Sequence, residues 1–227
     1  MYQPKHFRIS DHARLHALIE DNALAMIVTV VDGSPEVNHV PVVLDASEGP
    51  HGRLRFHLAR ANPLANRLSS AQQPADELMF VFRGEQAYVS PDWYGAQNGT
   101  QNHANNMVPT WNYAVVHAHG RAAVLDDDAL VDVLDDLSSA QEGRLDKTPW
   151  TTQKMDQDLY VKMRGAIVGF QMPIARLEGK FKMSQNRPDS ARGGVITALD
   201  SLDSDNAHKT AGTMRALAQD GKAEPNP

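Results

Sequence analysis

The stretch "GRLRFHLARANPLANRL", residues 52–68, sets the direction of the fold. Leu54, Phe56 and Leu58 alternate with Arg53, Arg55 and His57, the period of a strand with one buried face. Asn62 then stands where a helix N-cap belongs, with Pro63 at the first helical position, so a helix begins immediately beyond the strand. Outward from this unit, strands recur without the regular strand–helix alternation of a parallel sheet, which favours an antiparallel barrel with helices around it.

Upstream, "DHARLHALIED" (11–21) places Leu15, Leu18 and Ile19 at helical spacing after Ser10, a residue suited to an N-cap. "LAMIVTVV" (24–31) and "PEVNHVPVVLD" (35–45) read as strands joined by a tight turn at Asp32 and Gly33. Downstream, "LMFVFRG" (78–84) and "EQAYVSP" (85–91) read as a hairpin. "VPTWNYAVVHAHGRAAVL" (108–125) reads as one long strand or a strand pair. "DDDALVDVLDDLSSAQE" (126–142) carries Leu130, Val133, Leu134 and Leu137 on one stripe, with acidic residues at the positive end of the helix dipole. The amide-rich segment 95–107 reads as a mobile loop, and "AIVGFQMPIARLEGKFKMSQ" (166–185) returns to strand character. A single domain over 1–220 with a disordered tail at 221–227 is expected.

Composition narrows the chemistry. The 227 residues are 41% hydrophobic and include no cysteine, which removes disulfides, thiolate metal sites and cysteine nucleophiles together. No apolar run approaches a membrane span and the first residues lack a signal-peptide core, so a cytoplasmic protein is expected. A net charge of −6 without a basic stripe or a helix-turn-helix gives no support for direct DNA binding. Neither a Rossmann glycine fingerprint nor a phosphate-binding loop motif is present.

Several groupings remain. His12 and His16, and His117 and His119, have ligand-like spacing, but neither pair has a third ligand in register, so no metal is expected. In "HLARANP" (57–63), a strand, a turn and a cap explain the residues, while Arg60 just ahead of a helix N-terminus also suits an anion. Trp93, Tyr94, Trp111 and Tyr113 suit a core, or a platform for a flat heterocycle beside Thr110, Asn112 and Asn62. In "KFKMSQNRPD" (180–189), extended backbone puts Lys180, Lys182 and Ser184 on one face and Phe181 and Met183 on the other. That is a donor face backed by a core face, which a solvated edge strand also produces.

Taken in order, "MYQPKHF", "NHVPVVLD", "HLARANP", "AYVSPDWY", "VPTWNYAVVHAHG", "MRGAIVGFQMPIARLEGKFKMSQNRP" and "GVI" resemble the PaiB-like FMN-binding family, named for a bacterial negative regulator of protease synthesis and sporulation. The resemblance runs from Met1 to about Leu202. It implies a mainly β fold with helices (α+β), a split β-barrel related to pyridoxamine phosphate oxidases, and a homodimer with FMN in a cleft between subunits. By their match to family blocks, His57, Arg60 and Asn62 become a phosphate and ribityl wall, and Thr110, Trp111 and Asn112 a wall beside the ring. Lys180, Ser184, Gln185 and Asn186 become the late donor block. His57 and His117 are the candidates for acid–base roles. The loop 95–107 is longer in amides than the resemblance leads one to expect, and lies where it can cover a flavin. The implied function is a flavin-dependent oxidoreductase acting on a small molecule. The alternatives are an FMN-binding transcriptional regulator without turnover and a haem-binding or haem-degrading barrel.

Overall fold

The computed structural model describes residues 1–70, 77–95 and 107–223, with side chains of the last helix to 220. The expected loop 95–107, but for its end residues, and the end of the expected tail, residues 224–227, lie outside the described residues. The elements in chain order are β1 (Arg8–Ile9), α1 (His12–Asp21), β2 (Leu24–Val31), β3 (Ser34–Asp45), β4 (Arg53–Ala59) and α2 (Pro63–Ser69). They continue with β5 (Glu77–Val89), β6 (Thr110–Arg121), β7 (Ala123–Val124), α3 (Asp127–Glu142), α4 (Gln157–Arg164), β8 (Ile167–Lys182), α5 (Asp189–Asp200) and α6 (Asp205–Ala223). The sheet order is β1-β8-β4-β3-β2-β5-β6, with β7 also on β8, and a further β8–β6 pairing closes the order on itself. The chain is thus α+β with a closed antiparallel sheet, the class expected from the sequence.

The residues fall into two compact units, and β5, β6 and β8 run from one into the other. One unit comprises Asp11–Phe82 and Val116–Leu177. Its hairpin β2–β3 closes through Asp32 (φ 49°) and Gly33 (φ 79°), both left-handed as a primed turn demands, and this fixes the register Val31 to Ser34. Phe56 of β4 faces Phe170 of β8 across the ladder with ring centroids 5.4 Å apart, and the Phe80 ring lies 5.1 Å away edge-on. All three rings are fully buried, and they form the centre of this unit's core. At Gly120 a Cβ would stand 2.4 Å from the Pro173 carbonyl oxygen, so only glycine lets β6 pass β8 there.

Helix α1 buries Leu15, Leu18 and Ile19 as its spacing predicts, but its N-cap is Asp11, whose carboxylate accepts from the Ala13 amide at 3.0 Å, and not Ser10. Asn62 caps α2 as read, its Oδ1 accepting from the Leu64 amide at 2.9 Å. In α3, capped by Asp126, only Leu130 and Val133 of the expected stripe are buried.

The second unit comprises Met1–Ser10, Arg83–Val115 and the residues from Glu178 on. Here β1 pairs with the end of β8, Arg8 opposite Lys180, and the terminal amine reaches Glu178 at 3.2 Å. Helix α5 packs on α6 and on the 3-10 turn Pro91–Gly95, burying Val195, Leu199, Ala211 and Met214. Helices α4, α5 and α6 were not anticipated from the sequence.

The hairpin expected at 84–85 is absent: Glu77–Val89 is one strand. Its buried residues are Leu78, Phe80 and Phe82, then Ala87 and Val89, so the inward parity changes across Arg83–Gln86. That change lies where β5 leaves one unit for the other, and Gly84 within it resembles a turn only in sequence.

Candidate functional site

The end of β8 and the turn beyond it gather lysines, a serine and amides in the chain's second unit. Phe181 (4% exposed) and Met183 (1%) turn into the core, and this alternation sends Lys180 and Lys182 to the opposite face. The strand stops at Lys182, and Ser184 adopts φ 61°, a left-handed conformation unfavourable for a side-chain-bearing residue. Ser184 is therefore buried (4%) and leaves the expected face. Its Oγ donates to Asn112 Oδ1 at 3.2 Å, so the Tyr94 hydroxyl, 3.3 Å away, is left to donate to Ser184. Asn112, fully buried, also reaches Met214 Sδ through Nδ2 at 3.4 Å. Strain held in place by such a network is characteristic of functional positions.

Beside this turn is a cavity of about 170 Å³ lined by Phe7, Tyr94, Val108, Thr110, Asn112, Lys182, Ser184, Asn186 and Arg187. Lys182 Nζ donates to the Trp111 carbonyl at 2.8 Å and to Thr110 Oγ1. Burial, and then the charges of Lys180 and Arg187, pull the Lys182 ammonium below the usual lysine value. The Arg187 guanidinium lies 5.7 Å from the Tyr94 ring centre, and Lys180 Nζ stands 5.5 and 5.3 Å from the Tyr2 and Tyr113 rings. None of these three cations has a carboxylate partner among the described residues. Clustered positive charge without a counterion, beside a hydroxyl and an amide, is an arrangement that takes an anion.

Of the residues predicted to contact a cofactor, Thr110, Asn112, Ser184 and Asn186 line this cavity together. Gln185 spends its amide on the turn, accepting from the Met183 amide at 2.7 Å and donating to the Phe181 carbonyl at 2.6 Å. Trp111 is 53% exposed, edge-on to Tyr88 at 6.1 Å, and Tyr88 in turn meets Trp93 at 6.5 Å. Lys180 does not line the cavity; Lys182, Arg187 and Tyr94 do, and none of these three was named as a site residue from the sequence. Alternation already placed Lys182 on the donor face, whereas nothing local links Tyr94 to Ser184.

The remaining predicted residues belong to the other unit. Arg60 donates through Nε to the Gly165 carbonyl and through Nη2 to the Ile167 carbonyl, both at 3.1 Å, fastening the end of β4 to the start of β8. Asn62, beyond its cap, donates to Asn38 Oδ1 at 2.8 Å. His57, half-buried on β4, has a buried Nδ1 with no hydrogen-bond partner among the described residues. Burial holds its imidazole below the usual histidine value, so it is neutral at neutral pH. His117 lies 6.3 Å ring to ring from His119 on β6, and His119 Nδ1 is 3.8 Å from Glu77.

No helix among the described residues is long and apolar enough to cross a membrane. Among known proteins, the chain is 28% identical over 214 residues to "Protease synthase and sporulation protein PAI 2" of Bacillus subtilis, covering 94% of this chain and 96% of that protein. It is 32% identical over 232 residues to an uncharacterized protein of Emericella nidulans, covering 88% and 91%. Among solved structures, the FAD and heme binding protein of Mycobacterium smegmatis superposes with a TM-score of 0.52 at 16% identity, over 84% of this chain and 79% of that one, a likeness of fold. The profile of the family described as "Putative FMN-binding domain" matches residues 1–176, which include β2 to β4, the "HLARANP" segment and "VPTWNY", and the chain belongs to that FMN-binding family.

Proposed function

We propose that the chain binds FMN and acts as a flavin-dependent oxidoreductase on a small molecule, with the cluster at the end of β8 receiving the phosphate-bearing end of the nucleotide. The observation that carries this reading is the pair Lys182 and Arg187, without carboxylate partners among the described residues, at a cavity also offering Ser184, Asn186 and Thr110. These residues fit an anionic, hydroxyl-rich group. The volume, about 170 Å³, fits a phosphate and adjoining polar chain rather than a tricyclic ring, since pockets enclosing drug-sized ligands run to about 300–1,000 Å³. The reading therefore includes a homodimer in which a second copy completes the cleft.

The flavin ring, when bound, supplies two-electron and oxygen chemistry. The chain's own groups bind and orient. Lys182 and Arg187 neutralise the phosphate, while Ser184, held by Asn112 and Tyr94, keeps the turn in its strained shape. His57, a neutral imidazole whose Nδ1 has no hydrogen-bond partner among the described residues, and His117 are the candidates for accepting a proton.

Titration of apoprotein with FMN and with riboflavin tests the assignment. FMN is expected to bind stoichiometrically and more tightly than riboflavin. Lys182→Gln is expected to weaken FMN by roughly 10- to 150-fold, the equivalent of about 1.5–3 kcal/mol for a charge-assisted hydrogen bond, and to leave riboflavin nearly unchanged. Equal affinity for the two flavins removes the phosphate role. Anaerobic bleaching of the bound flavin by NADH or NADPH then tests the enzyme reading.

A regulator without turnover is the second reading, the one implied by the resemblance to the PaiB-like family, with whose Bacillus subtilis namesake the chain shares 28% identity over 214 residues. Against it stands a net charge of −6, ill-suited to displacing counterions from a duplex. A flavin that no nicotinamide reduces, together with sequence-selective, salt-sensitive DNA binding, makes the regulator the better account. A haem-like absorbance spectrum in place of a flavin one supports the third reading, a haem-binding barrel.

A further inference from the structure

His12 and His16 sit one helical turn apart on α1, and the sequence offers them no third partner in register. The fold supplies one. His51, in the loop between β3 and β4, brings Nδ1 to 3.2 Å from His12 Nε2, with the two rings at 85° and their centroids 4.9 Å apart. His16 stacks 6.0 Å from His12 at 18°, and its Nε2 meets the His51 carbonyl oxygen at 3.0 Å. His16 thus donates through Nε2–H and pins the His51 backbone. The next residue, Gly52, takes φ 91°, and a Cβ there would come within 3.0 Å of Leu44 Cδ1, so the loop is fitted closely against β3. His51 is therefore held in position from two sides.

From this geometry we infer that His12 and His51 form a binding site for a late first-row divalent metal ion, Cu²⁺ above Zn²⁺, distinct from the cluster at the end of β8. Two imidazole nitrogens, each about 2.0–2.1 Å from one ion, lie about 2.9 Å apart in a square-planar arrangement and about 3.4 Å apart in a tetrahedral one. The observed 3.2 Å falls between these values. In the metal-free chain one ring donates N–H to the other. On binding, that proton moves to the outer nitrogen of its own ring, and both inner nitrogens present lone pairs to the ion. His12 is exposed, so water fills the remaining coordination positions. His16 is a positioning residue that orients His51 through its carbonyl. The bound ion ties the first helix to the β3–β4 loop, and imidazole ligands with the Irving–Williams order set the preference for copper.

The test uses the untagged full-length chain and the metal salts alone. Calorimetric titration is expected to show one equivalent of Cu²⁺ per chain, with Zn²⁺ weaker. Removing a ligand is expected to cost at least the about tenfold that losing an outer-shell partner typically does, so His12→Ala and His51→Ala should each lower copper affinity by about tenfold or more. His39→Ala, an exposed histidine on β3, should leave it unchanged. Electron paramagnetic resonance of the wild-type copper complex should show hyperfine coupling to two imidazole nitrogens, a readout independent of any variant's folding. Wild-type affinity in either His12→Ala or His51→Ala, or a copper spectrum with fewer than two imidazole nitrogens, overturns the site.

Discussion

Ser184 shows how one residue joins local backbone energetics to a site. Its φ of 61° costs about 1–2 kcal/mol relative to an ordinary conformation, and its hydroxyl links two buried groups, Asn112 and Tyr94. Ser184→Ala keeps the strain and strands both partners. Chemical denaturation is expected to show a loss of about 1–3 kcal/mol, the cost of unsatisfied buried polar groups. Ser184→Gly loses the same hydroxyl but relieves the backbone, so it should be more stable than the alanine variant by about 1 kcal/mol. An alanine variant as stable as wild type would show that the network contributes nothing. At this scale the sequence was legible where periodicity speaks: Phe181 and Met183 inward, Lys182 outward. It was not legible at Ser184, because serine does not mark a left-handed position as glycine does. Nor could it show that Gln185 would spend its amide on the backbone of the turn, or that Asn62, beyond its predicted cap, would donate to Asn38. The first follows from the turn at Ser184, which lets Gln185 reach back two and four residues, and the second from the fold, which brings Asn38 to Asn62.

Elements are held by groups whose pairing also lies beyond local pattern. Asp45, at the end of β3, accepts from Arg55 through both carboxylate oxygens at 2.7 Å and from Arg53 Nε at 2.9 Å, and Arg55 continues to Asp136 on α3 at 2.6 Å. Burial opposes ionisation of Asp45, but the hydrogen bonds and charges of Arg55 and Arg53 outweigh it and hold the carboxyl below its usual range. A carboxyl depressed in the folded state binds fewer protons there than in the unfolded chain. Its stabilisation is present above the unfolded value, about 3.9, and is lost as pH falls through the folded value. Asp45→Asn is expected to lower stability at pH 7 by about 2 kcal/mol, within the range for hydrogen bonds to charged groups. The difference from wild type should shrink as pH drops below about 4. A difference constant from pH 7 to pH 3 would deny the carboxylate its role. The strand bearing Arg53 and Arg55 was read correctly because its alternation is strict. The strand Glu77–Val89 was misread as a hairpin because its buried parity changes midway beside a glycine, which in sequence looks like a turn. Helices α5 and α6 are built on alanines and glycines, too weakly apolar for a periodic signal to stand out.

For the whole molecule, the proposed homodimer can be argued from what one chain leaves uncovered. Trp111 is 53% exposed and Tyr88 44%, and with Trp93 they form an edge-to-face ladder of aromatic rings within one unit. Large aromatic side chains left in water are costly unless another surface covers them, and such residues are enriched at protein interfaces. The net charge of −6 is modest and sets no strong barrier to self-association. Sizing with light scattering is therefore expected to give a dimer, and Trp111→Glu, which puts a charge into the proposed contact, to shift it toward monomer. Because the proposed nucleotide site is completed by the second copy, the same substitution should also weaken FMN although Trp111 does not line the cavity. Ligand linkage supplies the magnitude: FMN at about 100 times its dissociation constant should stabilise the wild-type chain by about 2.7 kcal/mol. Under the same FMN concentration the Trp111→Glu and Lys182→Gln chains should gain much less, the first through lost assembly and the second through lost charge. Dilution separates the two causes, since only a chain defective in assembly recovers FMN-dependent stabilisation as protein concentration rises. A Trp111→Glu monomer that retains wild-type FMN affinity would sever the link between assembly and cofactor.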